Sequence, residues 1–173
     1  MHNQAEVSLQ QILDFREEKS MRLQQYRAQY PGCITVSLGM NVPGPHKNNE
    51  KILLTFLNGK DAITSRFSQK GYKLIVEETI LKPAGNLAIF VLEENSAVTI
   101  KADMIALEEE SPAGRLYDID VYRKDGEQVG REKLHVAPRK CFLCGNDAKN
   151  CGRSRAHSVQ ELERRMYEIL DAT

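Results

Sequence analysis

Gly114-Arg115-Leu116-Tyr117-Asp118-Ile119-Asp120-Val121 is the stretch around which the rest of this 173-residue chain arranges itself. Its apolar and aromatic residues favour an extended segment, in which successive side chains point to opposite faces. Asp118 and Asp120, at i and i+2, then share one face, and Ile119 between them points into the core. Leu116 and Val121 fall on opposite faces of such a strand. Aspartate is disfavoured in strands, and two of them among residues that want burial break a local rule without visible compensation, which points to a functional position. The plainer alternative is that both acids line the solvated face of an ordinary strand, since an Asp-x-Asp triplet is common.

Outward from this strand the chain alternates helix and strand signals. Lys124-Asp125-Gly126-Glu127 follows it, and the Asp-Gly pair predicts a hairpin between Leu116–Arg123 and Gln128–Leu134. Before it, Ala97 to Glu110 has the composition of a helix, although Val98, Ile100, Ile105 and Leu107 would tolerate an extended form. Tyr72–Leu81 and Asn86–Leu92 read as strands joined by Lys82-Pro83-Ala84-Gly85. Residues 49–57 and 59–70 have the spacing of one or two helices, interrupted at Asn58-Gly59, and Gly71 closes the second. Cys33 to Val42 is apolar and β-branched enough for a buried strand, ending at Pro43-Gly44-Pro45. Ser8 and Gln11 form a capping box for an amphipathic helix over 9–28, and Ser158 with Glu161 a second one, ahead of Leu162, Met166, Ile169 and Leu170. No repeat is visible. The expected class is α+β: a mixed, mainly antiparallel sheet with packed helices, in a single domain spanning 1–173 with a Cys-rich segment and terminal helix at 139–173.

Lys plus Arg and Asp plus Glu are equal at 24 each, so nothing recommends a general nucleic-acid binder. The start carries no basic segment followed by an apolar one, and no run approaches the roughly 20 apolar residues of a membrane span, so a cytoplasmic, membrane-free protein is expected. In such a compartment Cys33, Cys141, Cys144 and Cys151 are thiols or metal ligands rather than disulfide partners. Cys33 lies on a buried strand and reads as packing. Cys141-x2-Cys144-x6-Cys151-x5-His157 offers a Cys3His set for tetrahedral Zn²⁺. The second half is less compact than a zinc knuckle, and reduced thiols near a turn are the alternative.

Four stretches together resemble one family. The Gly114–Val121 octet is similar to the G-R-L-(aromatic)-D-I-D-V signature of the citrate lyase holo-acyl-carrier-protein synthases. Val42 to Lys47 resembles their P-G-P-x-K loop, Arg16 to Gln25 their early R-E-x-R…Q helix, and Arg139 to His157 their R-x-C-x-x-C…C-x-R-x-x-x-H tail. The stretches occur in the family's order along nearly the whole chain.

The resemblance implies transfer of 5-phosphoribosyl-dephospho-CoA from 2′-(5″-triphosphoribosyl)-3′-dephospho-CoA to a serine of the apo acyl-carrier subunit of citrate lyase, with pyrophosphate leaving. That is nucleotidyl transfer, and nucleotidyltransferases of the polymerase-beta type also use a strand-borne Asp-x-Asp, a parallel at the level of fold. Asp118 and Asp120 would then be catalytic and hold Mg²⁺ or Mn²⁺, which binds one or two carboxylates together with substrate phosphates. A two-ion site would want a third acid, for which Glu108, Glu109 and Glu110 are the candidates. Gly114 and Arg115 beside the acids, Lys47 after the Pro-Gly-Pro turn, Arg16 on the first helix, and Arg139, Arg153, Arg155 and His157 around the cysteines are the expected substrate-binding residues. On local evidence alone each of these cations could be a solvated surface group. Two other readings remain: a zinc-stabilised module binding protein or RNA, and the equivalent transferase for the carrier of malonate decarboxylase.

Overall fold

A computed structural model describes residues 6–173. The four strands form one sheet, β1 (Ile34–Met40), β2 (Leu74–Lys82), β3 (Gly85–Leu92) and β4 (Tyr117–Tyr122), in the order β2-β3-β1-β4 with every pairing antiparallel. Alternation sorts the side chains into two layers. Ile34, Val36, Leu38, Ala88, Phe90, Leu92, Tyr117, Ile119 and Val121 point to one side. There they form the main core with Phe56, Ile63 and Phe67 of α2 (Glu50–Lys70) and Ile100, Met104 and Leu107 of α3 (Ala97–Glu110). On the opposite side Leu87 and Ile89 pack on Leu23 of α1 (Leu9–Gln29), with Phe15, Tyr26 and Tyr122 around them. The α+β class is therefore as the sequence implies.

Local chemistry sets most boundaries. Ser8 caps α1 through a full capping box with Gln11, and Ser158 does the same for α5 (Val159–Asp171) with Glu161. The apolar face of α1 is shorter than its pattern suggests, since Leu9 and Leu13 are exposed and only Leu23 is buried. Gly71, at φ 70°, ends α2 in the left-handed conformation that glycine adopts without a Cβ clash.

Two expectations are corrected. The interruption at Asn58-Gly59 is absent: Glu50–Lys70 is one continuous helix capped by Asn49. Gly59 sits inside it because the Tyr117 ring packs against its bare backbone; a Cβ there would lie 2.6 Å from Tyr117 Cε1. The hairpin after β4 turns at Gly126, but its return arm pairs only briefly, with Gln128 opposite Tyr122, Arg123 N donating to Glu127 O and Val129 N to Val121 O, both at 2.8 Å. From Gly130 the chain leaves the sheet as a 3-10 turn, Arg131–Leu134. The place a longer strand would take beside Ile119 is filled by side chains of α3, and Arg131 is drawn off to Glu108 and Glu109 of the same helix.

Candidate active site

The acids sit where the octet put them, on the α1 side of β4, with Tyr117, Ile119 and Val121 buried on the other. Being at the sheet's edge, β4 has backbone groups without a strand partner, and charged side chains satisfy them. Lys101 Nζ donates to Ile119 O at 2.6 Å, Ile119 N donates to Glu108 Oε1 at 3.3 Å, and the Arg139 guanidinium donates to Tyr117 O. Glu108, 4% exposed, in turn pairs with Arg131 at 2.7 Å and Arg139 at 3.3 Å. This buried network holds the acid-bearing strand along its free side.

Gly114 sets the entry to the strand. It lies in a 3-10 turn, Pro112–Leu116, packed so closely on the end of α3 that a Cβ would stand 2.5 Å from Glu108 O and 2.7 Å from Leu107 O. Its visible role is close backbone approach.

The acids open into a cleft of about 870 Å³ shared by Arg16, Lys19, Lys47, Lys101, Arg131 and Arg139. Asp120 accepts three hydrogen bonds: Oδ2 from Lys19 Nζ at 2.8 Å and Tyr122 Oη at 3.4 Å, and Oδ1 from Gln128 Nε2 at 2.6 Å. Asp118 reaches the water of the cleft yet is crowded by protein on its other sides. That crowding, reinforced by the Asp120 charge, raises its pKa above the usual aspartate value, against the pull of Lys19 and Arg139. Burial works to lower the Lys19 pKa, but the charge and hydrogen bond of Asp120 outweigh it, and the ammonium is held above its ordinary range. Lys47 donates to Val42 O at 2.6 Å, pinning the Pro43-Gly44-Pro45 turn, and burial together with nearby Arg16 lowers its pKa.

Of the residues singled out in the sequence, Asp118, Asp120, Arg16, Lys47 and Arg139 meet in this cleft. Arg115, Arg155 and His157 line a second hollow of about 840 Å³, which adjoins the first through Asn41, Arg139 and Ala148. Arg115 donates there to Lys140 O at 2.6 Å, fastening the cysteine segment. Arg153 is exposed on α4 (Ala148–Ser154), away from both hollows. Glu109 and Glu110 face outward, paired with Arg131 and Arg66. Lys19, Lys101, Gln128 and Arg131 escaped the sequence reading. Lys19 left a signal, three residues after Arg16 and so on the same helix face, and so did Lys101, a lone cation within an apolar helical run. Gln128 and Arg131 left none.

The Cys3His set also comes together. The ligand atoms of Cys141, Cys144, Cys151 and His157 all lie within 4.8 Å of one another, a grouping able to hold a metal ion. Hydrogen bonds from the Asn146 backbone and His157 lower Cys144 to about 7, and the adjacent Cys144, with burial, pushes Cys151 up to about 12.

The family model described as "Apo-citrate lyase phosphoribosyl-dephospho-CoA transferase" matches residues 7–173. The chain belongs to this family. It is 33% identical over 167 residues to a "Probable apo-citrate lyase phosphoribosyl-dephospho-CoA transferase" of Streptococcus pyogenes serotype M5 (strain Manfredo), covering 95% of this chain and 85% of that protein. The protein of the same description from Vibrio cholerae serotype O1 (strain ATCC 39541 / Classical Ogawa 395 / O395) is 33% identical over 168 residues, 97% of this chain and 94% of its own length. "Protein CitXG" of Haemophilus influenzae is 33% identical over 160 residues, which are 91% of this chain and 34% of that longer protein. The cleft beside the two aspartates is lined by seven cations, the six already named and Lys149, and by five carboxylates, Asp118 and Asp120 with Glu108, Glu132 and Asp147. No helix among the described residues is long and apolar enough to cross a membrane.

Proposed function

We propose that this cleft transfers the 5-phosphoribosyl-dephospho-CoA group from 2′-(5″-triphosphoribosyl)-3′-dephospho-CoA to a serine hydroxyl of the apo acyl-carrier subunit of citrate lyase, in the cytoplasm, releasing pyrophosphate. The observation that carries this reading is that the Asp118–Asp120 pair shares its cleft with Arg16, Lys19, Lys47, Lys101, Arg131, Arg139 and Lys149, which outnumber the five carboxylates lining it. A triphosphate needs such a density of positive charge, and an attacking hydroxyl needs a base beside it.

Asp118 suits the role of base. Its raised pKa makes it a better proton acceptor than an ordinary aspartate. The serine proton passes to its carboxylate as the oxygen attacks the α-phosphorus, and the cations around the cleft take up charge on the departing pyrophosphate. Asp120 is positioned by Lys19 and Gln128.

The donor set also fits Mg²⁺ or Mn²⁺, since two same-face carboxylates open on a cleft with room for phosphates, and Asp118 and Asp120 would hold the ion. When bound it would neutralise charge on the phosphoryl oxygens. Glu108, the nearest further acid, is committed to Arg131, Arg139 and the Ile119 amide, which favours one ion over two. The nucleotidyltransferase comparison rests on this strand-borne acid pair alone. For the Cys3His set, thiolate and imidazole donors suit Zn²⁺.

The test is incubation of purified protein with donor, Mg²⁺ and either apo citrate lyase carrier or apo malonate decarboxylase carrier, followed by intact mass. A gain on the citrate lyase carrier is expected. A gain only on the other carrier transfers the reading to that system, and no gain on either, with carriers that a family relative can load, overturns it.

A further inference from the structure

We propose that one zinc ion bound by Cys141, Cys144, Cys151 and His157 staples the 139–157 segment and thereby positions Arg139 in the acid cleft. The metal half of this inference stands on the cluster itself; the positioning half rests on the transferase reading of the cleft.

The four side chains arrive from three places: a turn carrying Cys141 and Cys144, helix α4 carrying Cys151, and the link to α5 carrying His157. Cys144 Sγ lies 3.5 Å from Cys151 Sγ and 3.3 Å from His157 Nε2. All three cysteines are free thiols, and that sulfur separation is far beyond the ~2.05 Å of a disulfide bond. A tetrahedral zinc with Zn–S near 2.3 Å and Zn–N near 2.0–2.1 Å sets its ligand atoms about 3.5–3.8 Å apart, close to the spacing present. Soft donors in this number and arrangement, closed on all four positions, describe a structural rather than a catalytic site.

Beyond the Arg115 bond to Lys140 O and its own backbone bonds, the segment has little apolar packing to hold it. Phe142 packs only partly on the cluster around Met166, Leu143 is exposed, and α4 is seven residues long. So short a helix is unstable without tertiary support, and a small apolar-poor unit of this kind is commonly held by a metal.

What the ion would hold is tied directly to the cleft. Ala148 N donates to Arg139 O at 2.8 Å, Cys141 N to Asn146 O at 2.8 Å, and Lys140 bridges Asp147. These bonds close the cysteine turn onto Arg139, whose guanidinium reaches Tyr117 O, Gly114 O at 3.5 Å and Glu108 at 3.3 Å. Releasing the four ligands would loosen the base from which Arg139 extends, leaving α1, α2, α3 and the sheet intact.

Zinc content of the full-length protein, purified without chelator, is measured by elemental analysis and by mercurial release into a chromogenic zinc chelator. About one zinc per chain is expected, with loss in Cys144→Ser and Cys151→Ser and retention in Cys144→His. In the zinc-free variants the KM for the triphosphate donor should rise roughly tenfold or more, beyond any fall in kcat, and return in Cys144→His. A zinc-free wild-type protein overturns the metal half even if carriers are modified normally. Zinc-loaded protein whose Cys→Ser variants lose the ion yet keep donor KM overturns the positioning half. One zinc per chain without carrier modification leaves the metal half standing and removes the transfer reading, so the two failures are separable.

Discussion

The ammonium of Lys19 lies 2.8 Å from the Asp120 carboxylate, joining the first helix to the edge strand across 101 residues of sequence. This pair closes one side of the acid cleft, and the Lys19 charge also acts on Asp118 beyond it. Both partners are largely shielded, so the interaction belongs to the site and not to the solvated surface.

Replacing Lys19 with Met removes a cation that favours ionised carboxylates. The pKa of Asp118 should rise further, and the acid limb of the kcat/KM profile for carrier modification should move to higher pH. A profile unchanged in shape would show that Asp118 ionisation does not limit the reaction.

Asp118→Asn should reduce carrier modification by at least about a hundredfold, the lower range for loss of a general base. Its effect on stability has the opposite sign. The folded-state pKa of Asp118 is raised by burial and by Asp120, so the native state binds the proton more tightly than the unfolded chain. The associated stability is present at low pH and is lost as pH climbs from the unfolded aspartate value, near 4, through the raised folded one. At neutral pH, therefore, Asp118→Asn should melt no lower than the wild type. Mg²⁺ should raise the melting temperature of the wild type more than that of the variant, as read by calorimetry.

Glu108→Ala should be the most destabilising change near the cleft. It leaves Arg131 and Arg139 without their buried counter-charge and the Ile119 amide without its acceptor. Loss of one member of a buried pair costs about 3–5 kcal/mol. Urea unfolding measures it, and a cost below 1 kcal/mol would mean that the network is not holding β4.

Gly114→Ala tests the packing reason for that glycine. The new Cβ would meet backbone carbonyls of Leu107 and Glu108, which cannot swing aside as a flexible side chain would. A loss of about 1–3 kcal/mol is expected, with a fall in activity as β4 is displaced. Near-normal stability and activity would show that the end of α3 yields more readily than its packing suggests.

Much of this molecule was determined by short-range pattern alone. The capping boxes at Ser8 and Ser158, the extent of α3, the pairing of β2 with β3 and the shared face of Asp118 and Asp120 follow from the periods of helix and strand, which act over a few residues. The Cys3His grouping was visible as spacing, although only folding brings its four atoms within reach of one ion. Tertiary structure decided the rest. Asn58-Gly59 looks like a helix break until the Tyr117 ring occupies the space beside it, and the second arm of the Asp-Gly hairpin looks like a strand until Lys101 and Glu108 take its place along Ile119. Lys19, Lys101 and Arg131 joined the cleft for the same reason. Their partners are set by sheet order and by which face each helix covers, and no local period in the chain encodes distances across a sheet.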